Sequence, residues 1–130
     1  MNIDTFRSLA NDYCARAGLP APVFDGEHYV LSPLPEQAVI LAWDAQTEEV
    51  LLLAPVGTHA VSLDNEAALR LLQDAYLGQH LEGAAAGIDP DSGGLVMWRR
   101  LPGYGLTADR LQHYIDRTVA AAQAAQDVLA

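Results

Sequence analysis

Two short apolar runs in the first half of the chain constrain the fold more than any other feature. Residues 38–43 and 50–54 are almost wholly apolar, and the residues between them are mostly polar. Runs of this length are typical of strands, and a polar interval of this size is typical of a β-hairpin. Both runs are more continuously apolar than a strand with one solvated face requires. We therefore predict a hairpin with both faces covered, one by helices and the other by something else, for which a partner subunit or a bound client protein is a candidate.

Three stretches have the three-and-four spacing of apolar residues that indicates an amphipathic helix. The first covers residues 3–17 and ends before a glycine and two prolines. The second begins at a cap formed by Asp64 or Asn65 and extends to about Leu81. The third begins after Thr107 and continues into the alanine-rich end of the chain. We expect three helices.

Two further regions complete the predicted sheet. Residues 23–31 are rich in aromatic and branched side chains and predict a strand with a turn or bulge at residues 25–27. Residues 83–88 and 95–101 flank the dense turn chemistry of residues 89–94, which predicts a second hairpin. The element order α-β-β-β-α-β-β-α predicts an α+β fold with an antiparallel β-sheet and three helices. A chain of 130 residues is expected to form a single domain throughout.

The charge balance excludes several classes of partner. The chain has 17 acidic and 7 basic residues, a formal net charge of −10 and no lysine. Nucleic acids and anionic membrane surfaces are bound by clustered lysine and arginine side chains. The longest apolar runs are also too short to span a bilayer. We therefore expect neither nucleic-acid binding nor membrane insertion, whereas the acidity suits a protein that keeps apolar binding surfaces soluble.

The residues that usually carry catalysis or bind metals are isolated from one another. Cys14 is the only cysteine, which excludes an internal disulfide and a cysteine metal cluster. It has no histidine nearby, and no two of the four histidines share a one-turn spacing. Residues 89–93 resemble the start of a calcium loop, but Arg100 occupies the position that needs a bidentate glutamate. We expect no catalytic residue, no metal and no cofactor. The N-terminus lacks the features of a signal peptide, which favours a cytoplasmic location.

The stretch from Gly83 to Leu106 carries a family resemblance. Small residues precede a Gly-Ile-Asp turn at residues 87–89, and the next apolar strand ends in Arg-Leu-Pro at residues 100–102, before the last helix. This arrangement resembles the class I chaperones of type III secretion, the Tir-chaperone-like family. The resemblance implies a cytoplasmic homodimer that binds the N-terminal chaperone-binding segment of one or more secreted effectors. It also implies that the segment stays soluble and export-competent without nucleotide hydrolysis.

The resemblance further implies two binding surfaces on each chain. The effector surface combines the first helix with sheet positions, and the corresponding residues are Phe6, Leu9, Ala10, Tyr13, Leu41 and Trp98. The dimer interface combines the second helix with the neighbouring small-residue strand, and the corresponding residues are Leu69, Leu72, Gln73, Tyr76, Ala84, Ala85 and Ala86. The export apparatus is a candidate third partner.

Two other functions are compatible with the sequence. The first is a non-secretory regulator or interaction adaptor of the same fold. The second is an enzyme with a small-molecule pocket around Trp43, His59 and Tyr104. A neighbouring gene for a secreted effector would favour the chaperone, whereas a neighbouring metabolic operon would favour the enzyme.

Overall fold

A computed structural model describes residues 1–59 and 64–129 of the chain. Within these residues there are three α-helices, α1 (Ile3–Ala17), α2 (Asn65–Asp74) and α3 (Ala108–Leu129), a 3-10 turn (Tyr76–Gly78) after α2, and five strands, β1 (His28–Leu34), β2 (Gln37–Asp44), β3 (Glu49–His59), β4 (Ala85–Ile88) and β5 (Gly94–Pro102). The strands form one antiparallel sheet in the order β1-β2-β3-β5-β4. The predicted α+β fold and its element order are confirmed.

The chain divides into two compact units. The first unit contains Met1–Leu52 and Arg100–Asp116, and the second contains Leu53–Arg99 and the part of the chain that follows Asp116. Because β3, β5 and α3 each contribute residues to both units, these three elements are common to the two.

Helix α1 packs its apolar side into the first unit. The Asn2 side chain caps the helix by accepting a hydrogen bond from the Thr5 N–H at 2.9 Å, and Gly18 ends it with φ 70°. The buried side chains of α1 are Phe6, Ala10, Tyr13 and Cys14. The Phe6 ring lies 6.0 Å from the ring of Trp43 on β2 and 6.1 Å from that of Tyr29 on β1. An aromatic cluster therefore joins α1 to two strands.

Strand β2 shows how the sheet divides its two faces. Every second residue, starting at Gln37, is buried, and the alternate residues are half-buried. One face is therefore fully covered by the chain itself, as the alternation of side chains along a strand requires. The other face is only partly covered, so the predicted second cover is not supplied completely by this chain.

Strand β1 begins later than the sequence predicts. The Asp25 N–H donates to the His28 carbonyl at 2.8 Å, and the His28 N–H donates back to the Asp25 carbonyl at 3.3 Å. Gly26 allows this tight turn because it adopts φ 68°. The polar residues 25–27 thus form a turn that precedes the strand instead of interrupting it, and residues 23–24 lie outside the sheet.

Helix α2 ends at Asp74 and does not reach Leu81 as predicted. Its start agrees with the sequence, because the Asp64 side chain accepts a hydrogen bond from the Ala67 N–H at 2.7 Å. The end differs because Leu77 and Gly78 adopt left-handed conformations, with φ 54° and φ 70°. A Cβ on Gly78 would lie 2.8 Å from the Cα of Gly83, so only glycine fits this close approach of two backbone segments.

In the second unit, polar side chains fix α3 against the sheet. The Arg99 side chain on β5 donates to the Thr118 hydroxyl of α3 at 2.9 Å and to the Glu82 carbonyl at 2.8 Å. Further along α3, the Gln126 amide donates to the Val56 carbonyl of β3 at 2.9 Å. These bonds satisfy polar groups that lie close to an apolar core.

Gly103, which directly follows β5, provides a test of packing in the first unit. Its N–H donates to the Glu48 carbonyl at 3.0 Å, and a Cβ there would lie 2.8 Å from that carbonyl oxygen and 3.2 Å from the Trp43 ring. We expect Gly103→Ala to lower the free energy of unfolding by about 2 kcal/mol, because neither neighbour can move freely. Urea unfolding at a fixed protein concentration measures this change.

The matched control for that substitution is Gly94→Ala. A Cβ at Gly94 meets only the Ser92 hydroxyl, at 3.2 Å, and that side chain can rotate away. We expect a change of no more than about 0.5 kcal/mol. Equal destabilisation by the two alanines would contradict the packing described for Gly103.

Candidate functional site

Most of the side chains predicted to contact an effector lie in the core. Phe6, Ala10, Tyr13 and Leu41 are each between 0% and 2% exposed. A side chain at this exposure cannot contact a partner unless the fold opens, so direct contact of these four residues with an effector stays a prediction that their burial does not support. The physical reason is that the apolar side of an amphipathic helix packs on its own sheet first. Leu9 and Trp98 are half-buried, and their binding role stays a prediction.

Strand β1 offers the first exposed surface that sequence reasoning missed. It is an edge strand, and its Val30 side chain is 60% exposed. The Trp43 N–H donates to the Glu27 carbonyl at 2.9 Å, and Tyr29 pairs with Leu41 in the same register. Residues of an antiparallel pair alternate between positions that are hydrogen-bonded to the partner strand and positions that are not. Glu27 and Tyr29 occupy bonded positions and Val30 lies between two such positions, so the N–H and C=O of Val30 point away from β2 to the open edge. This backbone is available to a further strand.

A shallow groove of about 420 Å³ lies beside this edge. We call it the β1 groove, and the residues that line it are Leu19, Pro20, Ala21, Pro22, Val23, Asp25, His28, Tyr29, Val30, Leu31 and Ser32. One wall is the segment between α1 and β1, whose two prolines carry no N–H. That proline-interrupted apolar segment is the sequence signal that could have identified the groove.

Helix α2 presents the second exposed surface. Leu69, Leu72, Gln73 and Tyr76 line a shallow depression, and we call these four residues the α2 patch. All four are exposed. They are also four of the residues predicted for the dimer interface. Of the three predicted alanines, Ala84 is buried, whereas Ala85 and Ala86 are half-buried on β4 and at its start.

Leu77, one residue beyond the α2 patch, combines backbone strain with exposure. Its φ of 54° is in the left-handed region, and its side chain is 76% exposed. A leucine in this conformation costs about 1 kcal/mol relative to glycine. Because the side chain is exposed to solvent, it gains little packing energy that would offset this cost. An apolar side chain held out at a strained position is typical of a surface that a partner covers.

Three ionisable side chains in the core around α1, Tyr13, Cys14 and Tyr29, are buried. Burial, with smaller contributions from Asp116 and Cys14, raises the pKa of Tyr13 to about 12. Burial likewise raises the pKa of the Cys14 thiol and of the Tyr29 hydroxyl. A thiol with a raised pKa is a poor nucleophile at neutral pH. The packing of this cluster is structural, and it supplies no activated group.

The remaining sequence hypotheses are addressed by the described part of the chain. There, no group of three or more histidine, cysteine or carboxylate side chains could hold a metal ion. Over the same residues, no helix is both long and apolar enough to cross a membrane. In the hypothetical small-molecule pocket, Trp43 is buried and Tyr104 is exposed, while the side chain of His59 lies outside the described residues.

Comparison with known families decides the classification. The sequence model of the Tir chaperone protein (CesT) family matches residues 8–126. The chain belongs to this family. A search of curated proteins found no match. The family match confirms the resemblance predicted from the stretch between Gly83 and Leu106.

Solved structures of several protein complexes contain a chain of the same fold. The chain is similar to one in the ExsC-ExsE complex, with TM-score 0.82, 20% identity, and coverage of 98% of this chain and 95% of that chain. For a chain in the HopA1-SchA chaperone-effector complex the TM-score is 0.77 and the identity 17%, with coverage of 98% of both chains. For a chain in the heterodimeric ExoU-SpcU complex from the type III secretion system of Pseudomonas aeruginosa the TM-score is 0.70 and the identity 21%, with coverage of 92% of this chain and 96% of that chain. At these identities the similarity shows the fold alone.

The burial of Cys14 leads to a prediction about its reactivity. We expect a thiol reagent to label the native protein at least about a hundredfold more slowly than the unfolded chain, because labelling requires local opening and a thiolate. Labelling with and without guanidinium chloride, followed by mass spectrometry, measures both rates. One reactive thiol per chain in denaturant is the internal control. A native rate close to that of the unfolded chain would show that Cys14 is accessible.

Proposed function

We propose that this member of the CesT family is a cytoplasmic chaperone of type III secretion. It binds the N-terminal chaperone-binding segment of one or more secreted effectors and keeps that segment soluble and export-competent. The observation that carries the proposal is the family match over residues 8–126. Chains of the same fold occur in structures described as chaperone-effector complexes, which supports an effector as the partner.

The β1 groove supplies a physical mode of binding. An extended effector segment can add a strand at the open edge, where the backbone of Val30 provides a donor and an acceptor. Alternate side chains of that segment then enter the apolar groove, whose wall includes Leu19 and Pro22. Backbone hydrogen bonds do not depend on the effector sequence, so one groove can accept several effectors.

Binding of this kind needs no chemical step. The Cys14 thiol and the two neighbouring tyrosines have raised pKa values and are buried, so they cannot act as nucleophile or base at neutral pH. We infer that the protein is not an enzyme. A lone reduced cysteine is also consistent with the cytoplasm, where thiols remain reduced.

We infer that the α2 patch and Leu77 form the interface of a homodimer. A self-complementary apolar surface is what a two-fold interface requires, and the exposed leucines and tyrosine provide it. The half-buried Ala85 and Ala86 on β4 are small enough to allow close approach of a second copy. Two copies double the surface offered to an effector, and the loaded dimer is then the species that the export apparatus would receive.

The effector proposal is tested by affinity purification from the native host and identification of the bound proteins. We expect secreted proteins whose N-terminal segments are protected from protease in the complex. Val30→Asp should reduce their recovery at least about tenfold, because it puts a charge at the open edge without removing a core side chain. Recovery of non-secreted partners alone would support an interaction adaptor instead.

The matched control is Ile88→Asp. Ile88 is a similarly exposed apolar strand residue, at 57%, and it lies on β4 at the other edge of the sheet. We expect its recovery of effector to equal that of the wild type. If Val30→Asp and Ile88→Asp behave alike, the β1 groove does not bind the effector.

The dimer proposal is tested by sedimentation equilibrium at micromolar concentration. We expect a mass of twice the 14.0 kDa chain, and a monomer for Leu72→Asp, because a charge in the interface cannot be solvated.

Within the Leu72→Asp monomer, adding Leu77→Gly should raise the free energy of unfolding by about 1 kcal/mol, because glycine relieves the left-handed strain. In the wild-type background, Leu77→Gly should weaken the dimer. A wild-type mass of one chain would contradict the interface.

A further inference from the structure

A tight turn in the first unit holds an aromatic side chain out into solvent. Tyr104 is 94% exposed, more than any other large apolar side chain in the described part of the chain. On one side of it, Gly103 is anchored by its hydrogen bond to Glu48, and across the turn the Leu106 N–H donates to the Gly103 carbonyl at 3.2 Å. Gly105 completes the turn with φ 71°. The turn therefore fixes the backbone that presents the tyrosine ring.

A shallow depression of about 220 Å³ lies beside this ring. The residues that line it are Leu101, Pro102, Tyr104, Leu106, Arg110 and Tyr114, and we call them the Tyr104 surface. All of them belong to the first unit. The floor is apolar and aromatic, and one cation contributes to the lining. Tyrosine and arginine together are the residue types most enriched among the anchors of protein interfaces.

The charge at Arg110 is not neutralised within the described residues. No hydrogen bond or ion pair of its guanidinium occurs among them, whereas Arg16, Arg70, Arg100 and Arg117 each pair with a carboxylate. The adjacent Asp109 is already paired with Arg16. The residues one helical turn away are Leu106 and Thr107, which precede α3, and His113 and Tyr114 on α3, and none of them carries a carboxylate. Among the described residues, Arg110 is therefore a cation without a carboxylate partner, on a protein of net charge −10.

We propose that the Tyr104 surface binds a short acidic segment of a second protein, in which a carboxylate adjoins a proline or aromatic residue. The carboxylate pairs with the Arg110 guanidinium, and the proline or aromatic ring packs against Tyr104 and Tyr114. An acidic segment is repelled by most of this strongly acidic chain, so a cation without a carboxylate partner beside two tyrosine rings favours binding at the Tyr104 surface. Charge complementarity thus identifies the occupant.

This surface is separate from the two surfaces already described. It shares no residue with the β1 groove or with the α2 patch. The inference therefore does not rest on the proposed function, and the two can fail independently.

The test is a titration of the ¹⁵N-labelled full-length protein with two synthetic probes, followed by NMR. The first probe is acetyl-Pro-Glu-Trp-Pro-Glu-amide, and the second has lysine in place of both glutamates. We expect the acidic probe to shift the amide signals of Leu106, Arg110 and Tyr114 with a Kd of about 1 mM or tighter, which suits a few contacts. The lysine probe should bind at least about tenfold more weakly.

Variants distinguish binding of the acidic probe at the Tyr104 surface from non-specific binding. Arg110→Gln and Tyr104→Ala should each weaken the acidic probe about tenfold, with unchanged thermal unfolding because both side chains are exposed. Arg70→Gln, which removes an exposed arginine of the second unit, should leave the Kd unchanged. Equal binding of the two probes, shifts confined to residues 19–32, or no shift at about 5 mM probe would each overturn the proposal. So would dissociation of the dimer by Tyr104→Ala, which would assign this surface to a second copy.

Discussion

The aromatic contacts of Phe6 hold the first unit together. Its ring packs on Trp43 of β2 and Tyr29 of β1, and Phe24 closes the cluster with its ring 6.0 Å from Phe6 and 4.5 Å from Tyr29. Each such pair contributes about 0.5–1.5 kcal/mol beyond the area that it buries. The position of α1 on the sheet, and with it the wall of the β1 groove, depends on this cluster. Gly103 fits against the same Trp43 ring, so the turn that presents Tyr104 depends on it too.

The fold was largely predictable because its signals are local. The periodicity of α1, the apolar runs of the first hairpin and the Asp64 and Thr107 caps each depend on residues close together in the sequence, and the structure has them all. The end of α2 was not predictable in this way. It is set by the contact of Gly78 with the Gly83 backbone, and nothing in the helical pattern before Gly78 indicates that approach. The strand start at His28 was missed for a similar reason, since a polar turn can either interrupt or precede a strand.

The exposure of the predicted binding residues could not be predicted from the sequence, because an apolar stripe does not show what it packs against. On α1 the stripe with Phe6 and Tyr13 packs on the sheet of its own chain, whereas on α2 the stripe with Leu69 and Leu72 is exposed. The two patterns are alike in sequence, and only the tertiary packing distinguishes them. A pattern of side chains in the sequence does not reveal the open edge at Val30, because the groups that this edge offers to a partner are the backbone N–H and C=O.

An open strand edge with an exposed valine is also a hazard, since two copies could pair there and aggregate. The charges around β1 oppose that outcome. Asp25 lines the β1 groove, Glu27 lies directly before the strand, and Glu36 lies in the turn that follows it. Two identical edges would bring these carboxylates together, and like charges facing each other destabilise strand pairing. An effector strand without matching acidic residues meets no such repulsion. The acidity of this chain therefore disfavours pairing with a second copy at the edge where we propose that an effector binds.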